Sequence, residues 1–158
     1  MFNELVVKKK SVIVNRWIQL IFETYASETS KFLNVEKDQF SNPVGFTTSE
    51  AVNQLFDALI KDINPGTVKP LLIDLIKIRA VQDFTPSQAV GFVLLIKDAM
   101  RGELNCELKE KNLYNDLLKF ESEVDKAALI AFDLYQECRE KVYRIHLNEI
   151  KTNSLSVL

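Results

Sequence analysis

Glycine and proline are scarce in this chain, with four of each among 158 residues. All-β sandwiches and barrels need many turns, and turns draw heavily on these two residues. The scarcity therefore disfavours an all-β fold and favours long, uninterrupted helices. Because a domain holds roughly 150 residues, we expect residues 1–158 to form a single helical domain.

Histidine and cysteine are scarcer still, which argues against most metal and hydrolytic chemistry. His146 is the single histidine, and no nucleophile elbow, P-loop, GxGxxG or HExxH motif accompanies it. Cys106 and Cys138 lie far apart without zinc-ligand spacing, so we interpret them as reduced thiols. The sequence predicts a protein that is not an enzyme and that binds no metal or cofactor.

A strong net charge and a long apolar run are also missing. Lysine and arginine number 20 against 22 acidic residues, and a formal charge of -2 argues against a nucleic-acid or anionic-membrane partner. The longest apolar run, from Ala89 to Ile96, is far shorter than the roughly 20 residues that cross a bilayer. The N-terminus lacks the cleavage site of a signal peptide. We therefore expect a cytoplasmic protein with no membrane insertion.

Apolar residues recur at helical spacing in the first third of the chain. The pattern predicts an amphipathic helix over residues 5–25. Serine, threonine, proline and glycine then interrupt it over residues 27–48, which we interpret as a packed, irregular connection with one short helical turn. The next helix is predicted to begin at Thr48 or Ser49, either of which suits an N-cap.

Turn residues divide the middle of the chain. The Asn-Pro-Gly-Thr sequence at residues 64–67 is interpreted as the end of that helix, and Pro70 as part of the first turn of the following one. A cap-and-proline start at residues 85–86 predicts a further helix, apolar on nearly all sides. It is expected to end at residues 101–102, where a basic residue precedes a glycine.

The longest predicted helix lies in the C-terminal third. From Leu108 to Asn148 there is neither glycine nor proline. A helix of that length measures about 60 Å, which exceeds the width of a domain of this size. The sequence predicts an all-α helical bundle with a long C-terminal helix, a core over about residues 5–140 and a charged helical tail over about residues 139–158. Apolar residues recur along the helix in steps of four and three with one lapse at Lys141, as in packed or coiled helices: Leu113, Leu117, Phe120, Val124, Ala127, Ala131, Leu134, Cys138 and Ile145.

This apolar seam must be shielded from solvent by other parts of the protein or by a partner. We reason that a few short helices cannot cover a rod of such length, so part of the seam should stay exposed. The nearest available partner is a second copy of the chain. We therefore predict a two-fold homodimer with an interface that includes Trp17, Val124, Ala127, Ala131, Leu134 and Cys138.

Five short motifs carry a family resemblance. They are Arg16-Trp17, Thr24-Tyr25, KDQFSNPVG at residues 37–45, Leu55-Phe56-Asp57 and RAVQDFTPSQAV at residues 79–90. In their order and spacing the chain resembles, over roughly residues 6–144, the N-terminal sensory domain of the RsbT co-antagonist (RsbRD-type) family. The resemblance implies a globin-like, non-haem sensor of bacterial stressosomes. Such domains are usually dimeric and joined through a long C-terminal helix to an output domain such as STAS or a kinase.

The chain stops at Leu158 with no output domain. We expect it to be either a free-standing member of that family or a domain cut from a longer protein. The leading interpretation is a non-enzymatic sensory or regulatory domain that signals through its C-terminal helix to a downstream regulatory protein or output domain. The alternative is a helical interaction adaptor that binds no ligand. Stabilisation by small ligands would separate the two.

The motif at residues 79–90 has its own physical interpretation. Thr85 is placed to act as an N-cap, and Phe84 before it as a hydrophobic staple. Arg79 and Asp83 are one helical turn apart and are expected to pair. The motif either fixes a helix–helix corner or lines a sensing pocket, and the corner is the favoured interpretation.

Aromatic residues and the histidine give no cofactor site. Trp17, Phe22 and Tyr25 recur at helical spacing, which is more typical of a core than of a ligand cavity. His146 lies in the charged end of the last helix, so a haem would have no ligand in the core.

Overall fold

A computed structural model describes residues 1–36, 38–61 and 64–157. Lys37, the first residue of the motif at residues 37–45, and Leu158 at the chain end lie outside the described residues. The described residues contain nine α-helices, one short 3₁₀ helix and no strand, so the predicted all-α class and long C-terminal helix are confirmed. The helices are α1 Phe2–Lys8, α2 Lys10–Phe22, α3 Ser27–Val35, α4 Pro43–Lys61, α5 Pro65–Val81, α6 Pro86–Val90, α7 Leu95–Glu103, α8 Asn105–Glu110 and α9 Tyr114–Val157, with the 3₁₀ helix at Gly91–Val93.

The N-terminal helix predicted over residues 5–25 is two helices. They separate at Lys9, whose backbone leaves the helical region with φ -99° and ψ 12°. The Lys9 ammonium group donates to the carbonyl oxygen of Glu103 at 3.3 Å and forms an ion pair with Glu107. The prediction of one continuous helix was wrong because this contact is made with a segment almost 100 residues away, which local periodicity does not record.

The connection predicted over residues 27–48 contains a nine-residue helix, α3, and the true start of α4. Asn42 caps that start, six residues before Thr48, the earlier of the two predicted caps, because its Oδ1 accepts the N–H of Gly45 at 2.9 Å. The Nδ2 of the same side chain donates to the carbonyl oxygens of Leu33 and Glu36 at 3.2 and 3.0 Å. One buried amide thus joins the end of α3 to the start of α4.

The preceding helix ends where it was predicted to end, because α4 stops at Lys61, just before the Asn-Pro-Gly-Thr sequence. The same residues also begin the next helix. The Asn64 Oδ1 accepts the N–H of Gly66 at 2.9 Å, and Pro65 occupies the first helical position. Pro70 consequently lies inside α5 rather than in its first turn. Asn and Pro are common both in turns and at helix starts, so these residues are compatible with the end of one helix and with the start of another.

The predicted cap at Thr85 is confirmed as a complete capping box. The Thr85 hydroxyl accepts the N–H of Gln88 at 3.3 Å, and the Gln88 side chain accepts the N–H of Thr85 at 3.0 Å. The helix that follows is interrupted, however. It is α6, then the 3₁₀ helix, then α7, and the three segments bury Ala89, Phe92 and Ile96.

The last helix, α9, contains 44 residues and is about 66 Å long. It packs most extensively against α5 and contacts α4, α6, α7 and the 3₁₀ helix as well. Arg101 of α7 holds it with a two-pronged ion pair to Glu121, with N···O distances of 2.6 and 2.9 Å. The hydrogen bond to Glu121 raises the pKa of Arg101. Across the described residues no helix combines the length and apolarity needed to cross a membrane.

Replacing Gly45 by alanine tests the joint between α3 and α4. A Cβ at this position would lie 2.7 Å from Asn42 Cγ and closer still to Nδ2, so the buried amide must move and lose hydrogen bonds. We expect Gly45→Ala to lower the free energy of unfolding by about 1–3 kcal/mol, measured by urea denaturation.

The matched control is Gly102→Ala, because nothing lies within 4 Å of a Cβ built there. Since alanine favours helix over glycine, this variant should be neutral or more stable by up to about 1 kcal/mol. Equal destabilisation by the two substitutions would contradict the role of the joint.

Candidate functional site

Arg79 of α5 is fully buried, which is unusual for a charged side chain. Its Nε donates to the carbonyl oxygen of Ala89 at 2.9 Å, and its Nη2 donates to that of Gln88 at 3.0 Å. Both carbonyls lie at the C-terminal end of α6, where a helix carries partial negative charge. The guanidinium therefore satisfies the last carbonyls of this short helix and balances their charge.

Three aromatic rings surround the same guanidinium. Its central carbon lies 4.4 Å from the ring centre of Phe84, 5.3 Å from that of Phe92 and 5.6 Å from that of Tyr25. The rings of Tyr25 and Phe84 meet edge to face at 5.3 Å. Because the face of an aromatic ring attracts cations, these rings supply part of the stabilisation that water would otherwise give.

Two hydroxyl groups at the end of α2 complete the shell around Arg79. Its Nη1 donates to the Tyr25 hydroxyl at 3.4 Å, and its Nη2 approaches the Thr24 hydroxyl at 3.5 Å. Tyr25 in turn donates to Gln82 at 3.0 Å. We call Arg79 with Thr24, Tyr25, Phe84 and Phe92 the arginine cluster.

The arginine cluster differs from the predicted pairing of Arg79 with Asp83. Among the described residues, the partners of the guanidinium are carbonyl and hydroxyl oxygens and aromatic rings, not carboxylates. Arg79 turns inward because α6 presents its terminal carbonyls there. Burial lowers the pKa of Arg79, against a smaller opposite effect of Tyr25.

The hydrophobic staple expected of Phe84 stays a prediction. Phe84 packs against Tyr25 and Arg79 and so joins the arginine cluster. Trp17 lies nearby in the core, where its indole N–H donates to the carbonyl oxygen of Phe92 at 2.8 Å. The hydrogen bonds of Arg79 and Trp17 are made with the protein itself, which agrees with the interpretation of motif 79–90 as a corner.

The six residues predicted to form a dimer interface lie inside the single chain. Their exposed fractions range from 0% to 7%: Trp17, Val124, Ala127, Ala131, Leu134 and Cys138. The premise that short helices leave the seam exposed was wrong up to Cys138. Helices α4, α5, α6 and α7 and the 3₁₀ helix all contact α9 and together cover its seam. Only beyond this region does a seam residue emerge, since Ile145 is 56% exposed.

A different set of apolar residues on α9 is exposed. At about 100° per residue, they fall within about 40° of one line along the helix, opposite the buried seam. We call this set the outer stripe: Leu118, Leu129, Phe132, Tyr143, Leu147 and Ile150.

The end of α9 forms an exposed tail. Arg139 donates to the carbonyl oxygen of Ala80 at 2.7 Å, a contact between α9 and the end of α5. From residue 139 to residue 155 no side chain is buried. His146 lies in this tail and is exposed. In the described part of the chain, no group of three or more His, Cys, Asp or Glu side chains could hold a metal ion.

The RsbT co-antagonist protein rsbRD N-terminal domain is the family whose model matches this chain, over residues 11–150. The chain belongs to this family. An uncharacterised protein of Archaeoglobus fulgidus is 29% identical over 68 residues, which are 43% of this chain and 41% of that protein. The match thus spans about two fifths of the relative's length. No solved structure matches the chain.

The region matched to the RsbRD N-terminal domain contains both the arginine cluster and the outer stripe. It includes every member of the arginine cluster and all of the outer stripe, and it ends at Ile150 inside the exposed tail. Sequence reasoning found the motif that carries Arg79 but assigned it the wrong partner. Signals for the true partners were present, because Thr24 and Tyr25 form one of the family motifs.

Replacing Arg79 by methionine tests the arginine cluster. The variant keeps much of the side-chain volume but leaves the carbonyls of Gln88 and Ala89 without their donor. We expect the free energy of unfolding to fall by about 2–4 kcal/mol, measured by chemical denaturation.

Arg144→Met is the control, because its side chain is 76% exposed and its ion pair with Glu140 is 3.9 Å long. That variant should differ from the original chain by no more than about 0.5 kcal/mol. An Arg79→Met protein as stable as the control would show that the cluster does not support the fold.

Proposed function

We propose that this RsbRD N-terminal domain is a regulatory module that passes a signal along α9 to a downstream regulatory protein or output domain, such as STAS or a kinase. The match to the family over residues 11–150 carries the proposal. The form of α9 supports it, because one face of this helix is part of the core and its end extends beyond the core as an exposed tail. A rigid helix transmits displacement of the core to its tail.

The domain acts without enzymatic activity and without haem. Its single histidine, His146, is exposed in the tail, away from the buried residues that could enclose a haem. The charged group inside the core is Arg79, which is a donor only and cannot ligate iron. The globin-like character of such domains is an inference from the family. We assign the domain to the cytoplasm, in keeping with its cysteines, which are both free.

The outer stripe supports a two-fold homodimer. Its six members span about 48 Å of helix, and all are at least 40% exposed. Exposed apolar side chains aligned on one face of a helix are a common feature of interaction sites. Two copies of a stripe on a straight helix can face each other across a two-fold axis. The proposed interface is therefore the outer stripe, not the buried residues that the sequence indicated.

Leu129→Glu tests the dimer. Leu129 is 69% exposed, so the substitution leaves the core unchanged but places two carboxylates close together in an apolar interface. The original chain should sediment at twice the chain mass of 18.1 kDa. The dissociation constant of the variant should rise at least about tenfold, which corresponds to about 1.4 kcal/mol.

Asn148→Glu is the matched control, since Asn148 is exposed on the same helix but lies outside the outer stripe. It should dimerise like the original chain. Ala131→Glu would be a poor test, because Ala131 is fully buried and the charge would disrupt the fold itself. A single-chain mass for the original protein at high micromolar concentration would refute the dimer.

Ile145→Glu tests signalling through the tail. Ile145 continues the line of the buried seam beyond the core, is 56% exposed and is outside the outer stripe. The full chain should form a complex with a STAS-domain protein or a regulatory kinase from its own genome, detected by size exclusion with light scattering. The substitution should weaken that complex at least about tenfold while the dimer persists.

Lys151→Glu is the control here, because Lys151 is exposed in the tail and lies about 120° around α9 from Ile145, and this variant should bind the partner normally. If the chain bound none of these proteins, or if Ile145→Glu bound as tightly as the original chain, the proposed route through the tail would be wrong.

A further inference from the structure

A groove of about 760 Å³ lies between α2, α3 and α4. From α2 it receives the side chains at positions 15, 18, 19, 22 and 23, which share one face of the helix. The polar members of that set, Asn15, Gln19 and Glu23, are exposed to solvent and line a concave site.

The base of the groove is apolar. Phe22 and Leu33 line it and are only 2% and 4% exposed, which makes them part of the core as well. Phe46 also lines the groove and is 40% exposed, so its ring is accessible to a ligand. An organic molecule with an apolar part would gain contact area here.

The rim of the groove offers acceptors and negative charge. Asn34 and Asn53 each use an amide N–H to bond a carbonyl of their own helix, at 2.8 and 2.9 Å, while their amide oxygens remain acceptors. Glu23 and Glu36 add carboxylates. The described lining residues include no lysine or arginine.

One wall of the groove is held in place before any ligand arrives. Asn42 ties the end of α3 to the start of α4, and Gly45, which lines the groove, allows that close approach. A site whose walls are already fixed loses less conformational entropy when it binds a ligand.

We propose that this groove binds a small organic ammonium compound. Carboxylates and amide oxygens attract the cationic head, the face of Phe46 adds a cation–π contact, and the apolar base accepts the alkyl groups. An anion would meet two carboxylates and no basic side chain of the described lining. The inference builds on the proposed function, since it names the chemical class of the signal.

Choline and its uncharged isostere dimethylbutanol provide a direct test, because they share a shape and differ in charge. Each is titrated into the isotopically labelled full chain and followed by amide chemical shifts. Choline should shift the signals of α2, α3 and α4 around the groove and should bind more tightly than the alcohol. Added salt should weaken choline binding and leave the alcohol unaffected. Dimethylbutanoate, the matching anion, should bind most weakly.

Glu23→Gln should lower choline affinity roughly two- to fivefold, as expected for loss of one exposed ion pair. Because Glu23 is exposed, the Glu23→Gln variant should fold like the original chain. Glu110→Gln, an exposed residue that is not part of the groove lining, should bind choline normally.

The inference is overturned if choline leaves the groove signals unchanged, if the alcohol or the anion binds as tightly, or if the shifts map to another surface. These measurements do not involve the dimer or the tail. Their failure with an intact dimer and partner complex would remove the ligand class and leave the proposed function. If the partner complex failed to form while choline still bound, the proposed function would be removed and the ligand class would remain.

Discussion

The hydrogen bonds and ring contacts of the Arg79 guanidinium hold together four segments of this domain. They connect α5 to the end of α2, to the terminal carbonyls of α6 and to the 3₁₀ helix through Phe92. A buried cation usually requires a carboxylate partner. Here the negative end of a helix and three aromatic faces take that place. Such an arrangement depends on several segments at once, so it ties their positions to one another.

The two faces of the long helix α9 have different environments, because one packs in the core and the other is exposed to solvent. Its buried seam packs against α5, α6, α7 and the 3₁₀ helix, and its opposite face carries the outer stripe. In the proposed function, a rearrangement of the helices packed on the seam would displace α9, and the exposed tail would move with it. This property makes a continuous helix suitable for signal transmission in a domain of this family.

The groove and the arginine cluster meet at the end of α2. Phe22 and Glu23 line the groove, and the next two residues, Thr24 and Tyr25, contact Arg79. A ligand that displaced the end of α2 would act directly on the hydrogen bonds of Arg79. From there the contact between α5 and α9 leads to the tail. This continuous chain of contacts connects the proposed site to the proposed output.

The sequence alone determined the features that depend on neighbours within a few residues. The all-α class, the long C-terminal helix, its buried face and the capping box at Thr85 follow from periodicity and capping, which are local effects. Its motifs also indicated the family.

Only the tertiary structure decided what each face meets. It broke the N-terminal helix at Lys9, turned Arg79 away from Asp83, buried the expected interface residues and made polar residues of α2 one wall of an open groove. Each of these outcomes depends on a segment distant in sequence. An amphipathic pattern shows that a face is apolar or polar but does not identify the surface that will cover it.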